Sequence, residues 1–350
     1  MTYVERPIHS NNELNRAGKI LVSSDPDSDE FKEAIKKVDQ WRSCHAYPLN
    51  TFNATLRNKT RRYKGALVAQ RLKRLPTIMD KLGRYETLKL TQMQDIGGIR
   101  AVVGKIPDVK RLQAEYKDSR RFTHILVTEK DYLLDPKVDG YRGVHLVFRY
   151  HNTQARNDIA RNYDGLQIEL QIRTHLQHTW ATAVETVGTL KGESLKTGRG
   201  SKKYKEFFAL VSSAFAITEK QSVVKAHENM TPKEIYQRIT ELERELNFIE
   251  SIRGLSQAAQ ILQGQGVGGY YNIVVLDTVS KTIRIIGFTQ DGFKEATKRY
   301  AELEAQADKG KDTVLVSAGN LKSLKKAYPN YFLDVRDFLS KIQAIVSEVV

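Results

Sequence analysis

The stretch Leu166–Thr174 (LQIELQIRT) alternates apolar and polar residues, as a strand with one buried face does. Leu166, Ile168, Leu170 and Ile172 would lie on the buried face. The other face would carry two amides, a carboxylate and a guanidinium, from Gln167, Gln171, Glu169 and Arg173. Such a face suits the handling of phosphate groups, but an exposed sheet face with a Glu–Arg ladder would look the same. The segment alone leaves both interpretations open.

Two earlier segments combine glycines with charged or aromatic side chains. In Asp95–Val103 (DIGGIRAVV), an acid precedes two glycines and an apolar strand that contains Arg100. The glycines permit close backbone approach, and the arginine suits phosphate binding. In Pro136–Phe148 (PKVDGYRGVHLVF), Tyr141 stands between two glycines, where its ring could stack on a base. Ordinary turns that lead into strands would give the same patterns.

The segment Arg57–Arg84 is dense in arginine and lysine, and it directly precedes Asp95. Arg71, Lys73 and Lys81 are spaced so that they could converge on one polyphosphate, although a solvated helix face is the simpler explanation. The whole chain carries a formal net charge of +15. A surplus of this size favours polyanionic partners such as nucleotides or nucleic acid, or a generic basic surface.

The composition indicates a soluble protein with a hydrophobic core, since 40% of its 350 residues are hydrophobic and 28% are charged. No apolar run approaches the roughly 18 residues of a membrane span. The polar segment Met1–Arg16 lacks the apolar centre of a signal peptide. Cys44 is the single cysteine, so an internal disulfide and a CxxC metal site are excluded. We therefore expect a cytoplasmic protein without a membrane partner.

Periodicity and composition divide the chain into four parts. The predicted parts are an N-terminal helical region at 1–58, an α/β unit at 59–190, a helical connection at 191–255 and a small ββαβα unit at 256–350. The connection should begin with a basic loop at 191–205 and continue with helices, the second from Thr231 to about Leu262. A glycine-rich break at Gly264–Gly269 precedes the last unit, whose final helix carries an apolar stripe up to Val349.

Taken together, four segments resemble the RelA/SpoT synthetase family in order and content. The family's RxKxxxSIxxKL, acid–apolar–Arg, GYxSxH and EIQIRT patterns correspond here to Arg71-Leu-Lys73-Arg-Leu-Pro-Thr77-Ile-Met-Asp-Lys81-Leu82, Asp95-Ile-Gly-Gly-Ile-Arg100, Gly140-Tyr141-Arg-Gly143-Val-His145 and Glu169-Leu-Gln171-Ile-Arg173-Thr174. In the family the first of these is a basic helix. Gly143 replaces the usual serine and Asp139 the usual asparagine, which leaves the acceptor open.

The resemblance implies an α/β (α+β) fold with a nucleotidyltransferase-like mixed five-stranded sheet flanked by helices. It implies transfer of the β,γ-pyrophosphate of ATP to a ribose 3′-hydroxyl, with Asp95 and Glu169 as catalytic residues that hold Mg²⁺ and Glu169 as a possible proton acceptor. The implied ATP-binding residues are Arg71, Lys73, Lys81, Arg100, Gln171 and Arg173. The implied acceptor-binding residues are Lys137, Gly140, Tyr141 and His145. We expect His175 and His178 to pack on the next helix rather than to bind metal.

Within this family the chain more closely resembles the toxic small alarmone synthetases of the fused CapRel type. That likeness implies the 3′-CCA end of tRNA as acceptor, helped by Lys202, Lys203 and Lys205, and a zinc-finger-like C-terminal domain without zinc. Tyr328 and Tyr331 form a YxxY motif like the one that blocks the active site in that type. A phage capsid protein would be the activator, and a monomer is expected. The alternatives are an alarmone synthetase that uses GDP or GTP, and a catalytically dead RNA-binding protein.

Overall fold

The fold is a mixed α/β sheet flanked by helices. The computed structural model describes residues 6, 9–151, 158–191, 195, 201–257, 260–263, 269–280, 282–305, 310–317 and 321–349. The strands are β1 (Leu67–Leu72), β2 (Gly97–Val103), β3 (Ile125–Asp131), β4 (Val144–Arg149), β5 (Gln167–Thr174), β6 (Gln260–Gln263), β7 (Tyr271–Asp277), β8 (Thr282–Phe288) and β9 (Lys311–Ser317).

The α-helices surround this sheet. They are α1 (Asn11–Ser23), α2 (Asp29–Cys44), α3 (Ala46–Thr60), α4 (Leu75–Arg84), α5 (Ile106–Lys117), α6 (Asp158–Arg161), α7 (His175–Lys191), α8 (Lys202–Thr218), α9 (Pro232–Leu246), α10 (Phe248–Gln257), α11 (Phe293–Ala305), α12 (Leu321–Ala327) and α13 (Arg336–Val349). In the described part of the chain, no helix is long and apolar enough to cross a membrane.

The strands form one sheet in the order β3-β4-β5-β2-β1-β9-β7-β8-β6. The first five positions are the mixed five-stranded sheet that the sequence predicts, with β2 and β5 parallel and its other pairs antiparallel. The C-terminal strands were expected in a unit of their own. That division stays a prediction, and in the structure β9 pairs with β1 through Arg71 and Val316 and thereby continues the sheet.

Two hydrophobic cores carry most of the packing. The helices α1 to α3 share one core with the first five strands, in which Phe52 and Ile168 are fully buried. A second core joins α7 to α10 with the last helix, where the Phe338 ring lies 5.6 Å from the Phe208 ring. The apolar stripe predicted for the last helix is confirmed, but it packs on the helical connection rather than on the C-terminal strands.

Two elements predicted for the helical connection differ from the structure. The helix expected from Thr231 to about Leu262 is broken at Asn247, which has a left-handed backbone (φ 44°) and ends α9. The chain then forms α10 and β6. Of the basic loop expected at 191–205, residues 192–194 and 196–200 lie outside the described residues, and Lys202–Lys205 form the first turn of α8.

The basic segment that the family pattern places on one helix is divided between two elements. Arg71 lies on β1, and Lys73 follows that strand; of the three basic residues only Lys81 lies on α4. The helix begins only at Leu75, with Pro76 in its first turn, where proline lacks a backbone N–H that the helix does not need. The structure therefore places Arg71 in the sheet, next to β2.

A buried ion pair joins helix α11 to the N-terminal helix α2. The Arg42 side chain is 2% exposed and lies between Asp39 and Glu304, with its Nη1 2.6 Å from Glu304 Oε2. Glu304 also accepts hydrogen bonds from Tyr300 Oη (3.0 Å) and from the backbone N–H of Leu75 (2.8 Å). Because Leu75 is the first residue of α4, a carboxylate from α11 caps the helix that carries Lys81.

Candidate functional site

Asp95 lies in the turn before β2, and two lysines hold its carboxylate. Lys73 Nζ is 2.7 Å from Oδ2, and Lys81 Nζ is 3.0 Å from Oδ1. Burial raises the pKa of Asp95, but the two ammonium groups outweigh burial and hold that pKa below its ordinary value. Asp95 therefore stays ionised, and the two lysines converge on one point beside it.

Glu169 projects from the polar face of β5, where two neutral groups hold it. His145 Nδ1 lies 2.7 Å from Glu169 Oε1, and Gln171 Nε2 donates to Oε2 at 2.7 Å. Strand pairing sets this geometry, because His145 on β4 is in register with Gln171 on β5. Burial raises the pKa of Glu169, but the contacts with His145 and Gln171 lower that pKa to about 2.

The strand register brings the two carboxylates to the same end of the β2–β5 pair, since Asp95 lies three residues before Gly98. Gly98 of β2 is opposite Glu169 of β5 in the parallel pair. No group of three or more His, Cys, Asp or Glu side chains within the described residues could hold a metal ion by itself. Mg²⁺ bound together with a polyphosphate takes only one or two carboxylates, so Asp95 and Glu169 fit that ion.

The loop Gly140–Gly143 brings Tyr141 to the same place. Tyr141 Oη lies 2.5 Å from His145 Nε2 and also accepts a hydrogen bond from Arg173. The Arg173 guanidinium lies 4.8 Å from the centre of the Tyr141 ring, and Lys137 Nζ lies 5.0 Å from it. Two cations therefore contact the ring that the sequence assigns to base stacking. Tyr141, His145 and Glu169 form one hydrogen-bonded chain.

The predicted YxxY motif lies beside Arg71 and Arg100. Tyr328 and Tyr331 are each 3% exposed, and Tyr328 Oη donates to the backbone carbonyl of Gln70 on β1 at 2.6 Å. Burial raises the pKa of Tyr328, while the nearby guanidinium groups of Arg100 and Arg71 oppose that rise. Pro329–Phe332 form a short 3₁₀-helix, which ends at Leu333 before the last helix begins.

The remaining predicted residues lie apart from this centre or at its edge. Lys205 lines a cavity with Tyr141, whereas Lys203 pairs with Glu245 on α9 at 3.0 Å and Lys202 is exposed. His178 is buried in α7, with its Nε2 3.4 Å from the Lys326 carbonyl oxygen, whereas His175 is exposed at the start of that helix. The packing expected for the two histidines therefore holds for His178 only.

The sequence analysis did not single out Arg74 or Arg142. Arg74 pairs with Asp312 of β9, and its guanidinium lies 6.0 Å from the centre of the Tyr331 ring. Arg142 is only 4% exposed, inside the GYRG motif itself. Both lie within sequence segments that were quoted for other residues. Their partners are distant in the sequence, so only the structure shows what they contact.

Known proteins are similar to the part of the chain that carries the candidate site. The family model described as the region found in RelA / SpoT proteins matches residues 70–189. GTP pyrophosphokinase YjbM of Bacillus subtilis (strain 168) is 30% identical over 118 residues, which cover 33% of this chain and 52% of that protein. GTP pyrophosphokinase YwaC of the same organism is 28% identical over 120 residues, or 32% of this chain and 52% of that protein. The chain spans about half the length of the curated relatives it matches.

Two solved structures are similar over about half of the chain. The small alarmone synthetase 1 from Bacillus subtilis is 21% identical, with a TM-score of 0.41, and the match covers 50% of this chain and 88% of that one. A GTP pyrophosphokinase family protein from Streptococcus pneumoniae is 20% identical, with a TM-score of 0.42 and coverage of 55% and 91%. Asp95, Tyr141 and Glu169 all lie within residues 70–189, the part of the chain that the RelA / SpoT family model matches (below, the RelA/SpoT region).

Proposed function

We propose that this chain transfers the β,γ-pyrophosphate of ATP to the 3′-hydroxyl at the CCA end of tRNA, and so stops translation in the cytoplasm. The observation that carries the proposal is the meeting of Asp95, held by Lys73 and Lys81, with Glu169, held by His145, inside the RelA/SpoT region. A carboxylate pair beside convergent lysines suits a triphosphate and its counter-ion.

Each residue has a role in this proposal. Asp95 and Glu169 would hold Mg²⁺, which would neutralise charge on the phosphates. Lys73 and Lys81 would move from Asp95 to the phosphate oxygens, because a triphosphate carries more negative charge than one carboxylate. The remaining ATP-binding residues would be Arg71, Arg100, Gln171 and Arg173. The acceptor would contact Lys137, Gly140, Tyr141 and His145.

The surroundings of Glu169 bear on its proposed role as a proton acceptor. A carboxylate with a pKa of about 2 is a weak base, because bases accept protons best when their pKa lies near the working pH. The low pKa favours Glu169 as a ligand of the metal and as an acceptor of hydrogen bonds. Glu169 contacts Nδ1 of His145 and so orients the imidazole. In this proposal the imidazole, rather than Glu169 alone, would accept the proton of the acceptor hydroxyl.

The acceptor distinguishes two candidate functions. The relatives named GTP pyrophosphokinases favour a guanine nucleotide as acceptor. The net charge of +15 favours tRNA, as does Lys205, which lines the cavity beside Tyr141 at the start of a helix with two further lysines. The family pattern is not met at Asp139, directly before the acceptor loop Gly140–Gly143, and at Gly143 within that loop. We therefore place tRNA first and GDP or GTP second.

Incubation with γ-labelled ATP is expected to label tRNA and not GDP. Because binding that neutralises several phosphates weakens steeply as salt rises, labelling should fall at least tenfold between about 50 and 200 mM salt. Reversal of Lys202, Lys203 and Lys205 to Glu should reduce tRNA labelling without changing ATP binding. Labelled product on denaturing gels and ATP binding by calorimetry would measure these effects.

The matched control reverses Lys32, Lys36 and Lys37 on α2, which makes the same change in net charge and touches no residue of the proposed site. Equal loss in the control and in the α8 variant would assign the effect to overall charge. Strong labelling of GDP with untouched tRNA would establish the second candidate function instead.

We further propose that residues 256–350 form a zinc-free sensor that inhibits the enzyme. Burial of Tyr328 and Tyr331 beside Arg71, Arg100 and Arg74 supports this, because the two rings would then compete with the adenine for the arginines proposed to bind ATP. An activator that binds the open form would shift the balance between two states a few kcal/mol apart. By resemblance to the CapRel type, that activator would be a phage capsid protein, bound by residues 256–350 of a monomer.

A further inference from the structure

The acceptor loop, Gly140–Gly143, rests on a helix outside the RelA/SpoT region. Ser212 of α8 is 2% exposed, and its hydroxyl makes two contacts with this loop. Ser212 Oγ donates to the Gly140 carbonyl oxygen at 2.5 Å and accepts from Arg142 Nε at 3.0 Å. One side chain therefore ties the loop on both sides of Tyr141.

The loop also lies very close to α8. A Cβ atom at Gly140 would lie 2.8 Å from Ser212 Cβ and 3.1 Å from Ala209 Cα, and Gly140 has a φ of +93°. Only glycine combines this backbone conformation with this approach. The contact with Ser212 is therefore part of how the loop is built.

Arg142 is buried, and its Nε hydrogen bond joins it to Ser212. Its side chain is 4% exposed, and neither Nη1 nor Nη2 has a hydrogen-bond partner among the described residues. Burying a guanidinium with so few partners is unfavourable, and the Nε contact with Ser212 is the one hydrogen bond of the Arg142 side chain found within the described part of the chain. Tyr141, the residue before it, contacts His145 and Arg173 of the proposed site.

We infer that Ser212 and Arg142 are positioning residues, which hold the acceptor loop on α8 so that Tyr141 stays at a fixed place beside His145 and Glu169. The inference rests on the proposed function, because it takes Tyr141 as a contact of the acceptor. It assigns part of the acceptor specificity to α8, outside residues 70–189. The ATP-binding residues of this scheme lie on or next to β1, β2, α4 and β5, and of these Arg173 contacts Tyr141, so loss of the Ser212 contact should affect the acceptor more than ATP.

The test compares two adjacent serines of α8. Ser212→Ala is expected to raise the KM for the acceptor roughly tenfold, the effect of losing one well-formed hydrogen bond that acts on binding, with a much smaller change in the KM for ATP. Ser213→Ala is the matched control, because Ser213 is also buried and also makes two contacts, with His227 Nδ1 (2.8 Å) and Val224 N–H (3.0 Å). It should leave both KM values unchanged.

Arg142→Met provides a second variant, since it removes the Nε donor while relieving the burial of a charge. It should raise the acceptor KM without lowering the melting temperature. Amide hydrogen exchange of residues 137–143 provides a readout without substrate and should quicken in Ser212→Ala but not in Ser213→Ala. Equal KM values and equal exchange in the two serine variants would overturn the inference. A wild-type chain that labels neither tRNA nor GDP would contradict the proposed function, while the exchange data would still decide on the positioning role.

Discussion

Glu169→Gln is expected to abolish pyrophosphate transfer while the chain stays folded. The change keeps the size of the side chain but removes the charge that would hold Mg²⁺ and orient His145. A loss of a thousandfold or more in kcat is expected, which corresponds to about 4 kcal/mol in barrier height. Single-turnover assays with labelled ATP would measure transfer, and the melting temperature would report on folding.

Glu129→Gln on β3 is the matched control. Glu129 is also a sheet carboxylate with an amide partner, Gln113 Nε2 at 2.6 Å, and a basic partner, Lys117 Nζ at 2.7 Å. It lies outside the proposed site, so its variant should retain transfer. Near-normal transfer by Glu169→Gln would refute the proposed assignment of Glu169.

Asp95→Asn should abolish transfer as well, but with some loss of stability. Lys73 is largely buried, and without Asp95 its ammonium group would lose its charged partner. Asp80→Asn on α4 is the control, since Asp80 pairs with Arg84 near the surface at 2.8 Å. Transfer lost in the first variant and kept in the second would separate the role of the site from the effect of removing an ion pair.

The double variant Tyr328→Ala, Tyr331→Ala is expected to make the chain toxic to bacteria without any activator. Removal of both rings would open the space beside Arg71 and Arg100 to ATP. Addition of Glu169→Gln should remove the toxicity again, because toxicity would then depend on transfer. Growth on induction, together with labelling of tRNA extracted from the cells, would measure both effects.

The tyrosines also pack in a small core with Val314, Val316 and Leu324, so their truncation opens a cavity there. The control is Tyr328→Phe, Tyr331→Phe, which keeps both rings and that packing while losing the hydroxyl bond to Gln70. This control should remain harmless. A harmless double alanine variant, in a chain whose wild type can still be activated, would show that the tyrosines serve only as core.

The sequence predicts the elements whose signal is local. In β5, Ile168, Leu170 and Ile172 are fully buried and Glu169 faces the site, as the alternation indicates. The final helix is likewise found where its apolar stripe places it. In each of these segments, neighbouring residues carry the periodicity.

Long-range pairing limits the rest of the prediction. The family pattern places Arg71 on a basic helix. Nothing in Leu67–Leu72 alternates, so the segment carries no strand signal of its own, and its pairing with β2 and β9 is what makes it a strand. Ser212 supports Gly140 from 72 positions away, and Arg42 meets Glu304 across 262 positions. Separations of this kind leave no periodic trace in one sequence.

The pair Arg42 and Glu304 restricts how this chain can be recombined during evolution. A different C-terminal unit, joined after α10, would leave Arg42 buried with Asp39 as its remaining carboxylate and would uncap α4 at Leu75. An exchanged unit would have to supply both a carboxylate at the position of Glu304 and a strand beside β1. The unit should therefore diversify by substitution on its outer surface, while its inner contacts are inherited together with the α/β unit.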